Sequence, residues 1–113
     1  MSQALDDWPA VFAYAAGRPG ATEGRYYGGQ AIMAEPSNRP VLTGGREPDS
    51  FVFHIDQDHK AMLMDLCPDR FWQTPHYEGY PALLVRYGAA EPIAEWIDRA
   101  LELAAALPRR KGK

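Results

Sequence analysis

One short segment concentrates the side chains that are best suited to bind a partner: His76, Tyr77 and Tyr80 lie between two prolines. A proline disfavours helical backbone in the residue before it, and Gly79 can adopt a positive φ. The sequence therefore predicts a stiff loop that presents three rings. Arg86 follows on the next predicted strand, and rings beside a cation can stack on a nucleobase or another planar ligand. In the alternative interpretation, the tyrosines buttress a sheet and the histidine bonds to backbone carbonyls.

Arginines form a second candidate surface between residues 18 and 46. This stretch has four arginines and two glutamates, a net charge of +2. Spaced arginines on exposed strands can follow a phosphate backbone, with tyrosines beside them. The alternative is that they are simply solvated. The candidate binding residues of the stretch are Arg25, Tyr26, Arg39 and Arg46.

The rest of the chain is acidic. Residues 1–108 carry 8 basic and 15 acidic side chains, a net charge of −7, and they repel phosphate over most of the surface. Four of the last five residues are basic. Residues 109–113 are therefore predicted to form a basic tail, which either adds non-specific affinity for nucleic acid or follows a helix end as a solvated segment.

Two patterns resemble metal or catalytic sites, and both have a simpler structural explanation. Residues 54–59 hold two histidines and two aspartates, but a strand followed by a helix start directs these side chains apart, with Asp56 as the helix N-cap. Cys67 is a lone cysteine at a helix end, with no evident oxyanion donor for a nucleophile paired with His76. We predict no enzymatic activity, no metal and no cofactor.

Apolar residues at helical spacing predict helices at residues 6–16, 57–67 and 92–107. The short connections between the strands favour antiparallel neighbours. The pattern predicts a single α+β domain over residues 1–108, an antiparallel sheet with helices packed on one face. The predicted strands are residues 25–27, 31–34, 41–43, 51–55, 71–73 and 82–87.

The composition also indicates a compartment. One cysteine allows no internal disulfide, which suits a reducing environment. No apolar run approaches the roughly 20 residues of a membrane span, and the acidic N-terminus lacks the features of a signal peptide. We expect a cytoplasmic protein with no membrane partner.

The run from Thr74 to Arg86, TPHYEGYPALLVR, resembles the signature of the MmcQ/YjbR family. Phe51–Asp56 looks like the strand before the family's middle helix, Cys67–Phe71 like its helix exit, and Trp96–Pro108 like its closing helix. The match is specific from residue 51 to residue 108 and loose before that. The resemblance implies a YjbR-like double-wing fold, similar to that of the bacterial frataxin CyaY.

Members of that family are commonly described as DNA-binding, and the resemblance brings no catalytic residues with it. It implies a non-enzymatic domain that contacts DNA through the arginine stretch, the His76 loop and the basic tail. The net charge of −7 over the body predicts that this contact is weak and salt-sensitive. The alternative is a module that binds a small planar ligand or a protein through Tyr77, Tyr80 and Arg86.

Overall fold

The structure is a computed structural model that describes residues 4–45 and 47–109. Within these residues three helices and six strands follow one another along the chain. The helices are α1 (Trp8–Ala16), α2 (Gln57–Leu66) and α3 (Ile93–Ala105), and a short 3-10 helix spans Pro75–Tyr77. The strands are β1 (Ala21–Tyr26), β2 (Gly29–Ala34), β3 (Arg39–Gly44), β4 (Ser50–His54), β5 (Phe71–Trp72) and β6 (Ala82–Arg86).

The six strands form one sheet in the order β1-β2-β3-β4-β6-β5, and every pair of neighbours is antiparallel. The predicted α+β class is confirmed. β1 begins at Ala21, four residues earlier than predicted, because Ala21 pairs with Ala34 in the hairpin. No apolar alternation in the sequence marks that start.

Aspartates begin the first two helices, since each accepts a hydrogen bond from a backbone amide of the first turn. The Asp7 side chain accepts from the amide of Ala10, and the predicted N-cap Asp56 accepts from the amide of His59 at 3.0 Å. These bonds satisfy donors that have no partner within the helix. The aspartate ahead of α2 is therefore a cap.

All three helices contribute to one core on one face of the sheet. Strand alternation selects that face, because Phe51 and Phe53 of β4 point toward the helices while Val52 belongs to a separate cluster. The helix side chains that share this core with the phenylalanines include Val11, Ala15, Leu63, Ile93, Ile97 and Leu101.

The opposite face of the sheet carries only a small apolar cluster. Val52, Ala82 and Leu84 form it, and Trp72 and Tyr77 pack against it. No residue of α1, α2 or α3 belongs to this cluster as the described residues define it. We call it the helix-free face. Among the described helices, none has the length and apolar character needed to cross a membrane.

The hairpin between β1 and β2 turns through Tyr27 and Gly28, both with positive φ, at 51° and 81°. Two central residues of positive φ fit the type I′ turn, which favours Asn-Gly. A tyrosine at the first position is unfavourable because its Cβ crowds the backbone in the left-handed region. The Tyr27 side chain is also 94 % exposed, so burial in the core does not explain its presence.

We therefore expect Tyr27→Asn to raise the free energy of unfolding by roughly 0.5 kcal/mol, because asparagine tolerates the left-handed region. Urea denaturation of both proteins measures the change. Gly28→Ala is the matched control and should lower the free energy of unfolding by about 1 kcal/mol. A destabilising Tyr27→Asn would mean that ring contacts of Tyr27 outweigh its backbone preference.

Candidate binding groove on the helix-free face

An open groove of about 1000 Å³ lies over the helix-free face of the sheet. The β1–β2 hairpin supplies one side of it, the loop before β6 supplies the other, the sheet forms the floor, and Trp8 at the start of α1 also lines it. We call it the aromatic groove because rings from both sides line it. Its lining includes Tyr26, Tyr27, Thr43, Val52, His54, His76, Tyr77, Tyr80 and Leu84.

The loop of residues 75–80 presents its three rings as one cluster. The His76 and Tyr80 rings lie 6.3 Å apart at 27°, and the Tyr77 ring meets His76 edge-on at 4.9 Å. The backbone has the predicted form, with Thr74 extended and Gly79 at φ +81°. Tyr77 also buttresses the cluster beneath it, whereas Tyr80 leaves 60 % of its surface exposed.

A buried lysine of α2 holds this loop in place. Lys60 is 3 % exposed, and its Nζ donates hydrogen bonds to the carbonyls of Tyr77 at 2.6 Å and Tyr80 at 2.8 Å. The side-chain amide of Gln57, one turn earlier, donates to the carbonyl of Gly79. Burial lowers the pKa of Lys60, but the two carbonyls still give the ammonium group acceptors.

We expect Lys60→Met to reduce the free energy of unfolding by roughly 2 kcal/mol, because hydrogen bonds from a charged group are lost while the apolar stem is kept. Hydrogen exchange at the Tyr80 amide, which donates to the Tyr77 carbonyl, should accelerate. Gln57→Ala is the control, because it removes a bond at an exposed position and should have a smaller effect. Equal exchange rates in the wild type and Lys60→Met would show that the lysine does not hold the loop.

His54 lies on the groove floor in a largely shielded position. Its Nε2 is 3.2 Å from the hydroxyl oxygen of Thr43, and the Tyr26 ring meets it edge-on at 5.7 Å. Burial lowers the pKa of His54 to about 4, because the charged ring loses its hydration. At neutral pH the floor therefore carries a neutral imidazole.

The lowered pKa makes stability depend on pH. The unfolded chain takes up a proton at His54 near pH 6.5, whereas the folded chain takes it up only near pH 4, so stability falls as the pH drops from 6.5 to 4. Relative to His54→Gln, the wild type should lose about 3 kcal/mol more between pH 7 and pH 4. Urea denaturation at several pH values gives the difference, and parallel curves for the two proteins would contradict the shift.

The arginines of the predicted cationic stretch contact different parts of the chain. Arg18 forms two hydrogen bonds to the carboxylate of Asp98 in α3, at 2.8 and 2.9 Å. Arg25 donates to the carbonyl of Gly28 in the hairpin turn, at 3.2 Å. Arg39 donates to a carbonyl beyond the end of α3. Each described arginine of the stretch thus forms hydrogen bonds within the chain.

The remaining predicted cations are also outside the aromatic groove or outside the described residues. The Arg86 guanidinium lies 4.6 Å from the ring centroid of Trp72 and donates to a loop carbonyl. Arg109 donates to the carbonyl of the turn between β2 and β3. Arg46 and residues 110–113 of the predicted basic tail lie outside the described residues.

The groove brings together four of the predicted binding residues, Tyr26, His76, Tyr77 and Tyr80. The described lining contains no lysine or arginine, and Glu47 is its only carboxylate. Arg25, Arg39 and Arg86 do not line it. The described lining of the groove therefore offers no positive charge to a polyanion such as DNA.

Sequence reasoning did not assign His54 or Thr43 to a binding site. A signal was present, because strand alternation places His54 on the same face as Val52 and opposite Phe53. A polar ring on that face indicates a surface that no helix covers. Lys60 carried a similar signal, since it precedes the buried Leu63 by three residues and shares its helix face.

Across residues 4–45 and 47–109, no three His, Cys, Asp or Glu side chains are grouped as metal ligands. The chain matched no family model, no curated protein and no solved structure. Membership of the MmcQ/YjbR family therefore stays a prediction that rests on the sequence motif.

Proposed function

We propose that the chain is a non-enzymatic binding module whose aromatic groove takes a small planar ligand. The observation that carries this proposal is the placement of rings from two distant segments over one open sheet face. Tyr26 and Tyr27 come from the hairpin, and His76 and Tyr80 come from the loop about fifty residues later. Concave sites lined by aromatic side chains with a few polar groups are typical of small-molecule binding.

The backbone at Tyr27 supports the proposal. Its ring is almost fully exposed on a turn position that disfavours tyrosine, and it contacts Tyr26 with ring centroids 4.5 Å apart. Unfavourable backbone conformations cluster at binding sites, where function maintains them. A ligand that stacks on these rings accounts for an exposed aromatic side chain at this turn.

The polar groups of the groove favour an uncharged planar ligand. Thr43 and the neutral imidazole of His54 provide hydrogen-bonding atoms on the floor. Glu47 is the only described charge on the lining and repels phosphate. Heteroaromatic rings with both donors and acceptors combine stacking with bonds to such a floor.

The placement of Cys67 supports a role without catalysis. Cys67 packs against the helix-side core, whereas His76 lines the groove on the opposite face of the sheet. A thiol nucleophile needs a base within hydrogen-bonding distance, and this separation does not provide one.

We also propose, from the motif at residues 74–86, that the domain is MmcQ/YjbR-like. The order of one helix, four strands, one helix, two strands and one helix is consistent with the elements assigned to that resemblance. Duplex DNA is less well supported as a ligand than a planar molecule, because the described lining of the aromatic groove contains no lysine or arginine.

A thermal-shift screen of neutral planar heteroaromatic compounds tests the groove, since a ligand that binds the native state raises the midpoint of unfolding. For a compound that binds, Tyr80→Ala should raise the Kd about tenfold, within the range of a lost stacking contact. Tyr14→Ala removes the same side chain from α1, outside the described lining, and should leave the Kd unchanged. An unchanged Kd in Tyr80→Ala, or a screen without any binder, would overturn the proposal.

Fluorescence anisotropy with a labelled DNA duplex separates the two ligand classes. We expect weak binding at low salt that disappears at physiological salt and on removal of residues 109–113, as a polycation effect does. Duplex binding that survives both changes and weakens with Tyr80→Ala would favour DNA as the ligand of the groove.

A further inference from the structure

A second cavity, of about 530 Å³, lies between the C-terminal half of α3 and the ends of β3 and β4. We call it the α3 cavity. It shares Tyr26, His54 and Pro81 with the aromatic groove but is otherwise lined by different residues. Its walls are mainly apolar, with Pro40, Ile55, Leu103, Ala104 and Leu107 among them.

The rim of the α3 cavity exposes apolar surface. The Leu107 side chain is 50 % exposed just after the last turn of α3, and Leu103, one turn earlier, is only partly buried. Apolar side chains that face water beside a cavity gain free energy when a hydrocarbon covers them.

Two charged side chains reach the cavity, and only one of them, Arg39, has hydrogen-bond donors for an anion. Both oxygens of Asp56 accept hydrogen bonds from His59, one from the amide at 3.0 Å and one from the ring Nδ1 at 2.7 Å. Arg39 uses its Nε for the carbonyl of Pro108 at 2.8 Å. Its two Nη atoms have no hydrogen-bond or ion-pair partner among the described residues.

A second arginine, Arg109, lies near the start of β3. Residues 1–108 have a net charge of −7, but the chain continues from α3 into four basic residues within the last five. Arg109, the first of them, donates to the carbonyl of Pro36 at 2.7 Å, beside the start of β3. Arg109 is therefore a second described cation close to the start of β3.

We propose that the α3 cavity binds a free medium-chain aliphatic carboxylate. The hydrocarbon lies along Leu103 and Leu107, and the carboxylate accepts hydrogen bonds from the Nη atoms of Arg39, in the geometry that guanidinium groups favour. This site is independent of the planar ligand proposed for the aromatic groove, and each proposal can fail without the other.

Titration of the isotopically labelled full chain, followed by amide NMR, tests the proposal with three probes that share one hydrocarbon length. The probes are decanoate, decanol and decyltrimethylammonium, each below its critical micelle concentration. Decanoate should shift the amides of Leu103 and Leu107 and bind at least fivefold more tightly than decanol. Decyltrimethylammonium should bind most weakly.

Arg39→Gln should weaken decanoate about tenfold and leave decanol unchanged, because only the head group contacts the arginine. Arg25→Gln is the matched control on the neighbouring hairpin, outside the cavity lining, and should change neither. Leu107→Ser changes an exposed side chain and should weaken decanoate and decanol alike, so it gives a second test if Arg39→Gln disturbs the fold.

Equal affinities for decanoate and decanol in the wild type would overturn the proposal, as would unchanged decanoate binding in a folded Arg39→Gln. Stronger binding of decyltrimethylammonium would assign the head-group position to Asp56 and would also overturn it. Tyr80→Ala should not alter decanoate binding, which keeps this test separate from that of the aromatic groove.

Discussion

The aromatic groove depends on a buried ammonium group. Lys60 lies on the face of α2 that also carries the core residue Leu63, and its Nζ reaches two loop carbonyls, those of Tyr77 and Tyr80. A buried ammonium group without acceptors is strongly unfavourable, so the helix and the loop fix each other's position. Through the Lys60 side chain, the core on the helix-covered face thereby fixes the position of the loop rings on the helix-free face.

The groove is built against local preferences at two positions. Tyr27 occupies a left-handed turn position that suits asparagine or glycine, and His54 lies where burial keeps its imidazole neutral. A helix-free sheet face does not require either residue, since small polar side chains would cover it with less strain. Both residues line the same groove, and departures from local preference that converge on one surface indicate function more strongly than either departure alone.

Local signals in the sequence were sufficient to predict the helices, most of the strands and the loop of residues 75–80. The apolar stripe of α3, the cap at Asp56 and the loop with Gly79 were predicted because each depends on residues a few positions apart. The early start of β1 was missed because strand pairing, not alternation, determines it. The position of Tyr27 on the same groove as the loop rings depends on how the hairpin lies over the sheet, and no spacing along the chain encodes it. The direction of Lys60 could be inferred from helix periodicity, but its loop acceptors could not.

Charge separates the two cavities more sharply than shape does. They adjoin at Tyr26, His54 and Pro81, yet the described lining of the aromatic groove carries only Glu47 as a formal charge. The α3 cavity has Asp56, whose two oxygens bond to His59, and a guanidinium with free Nη atoms. An anionic head group is repelled at the first and bonded at the second. Because His54 is neutral, the wall between them adds no charge to either side. Residues 1–108 have a net charge of −7, so an anion can bind only where one of the few cations remains unpaired. Arg18 is not such a cation, because it forms an ion pair with Asp98.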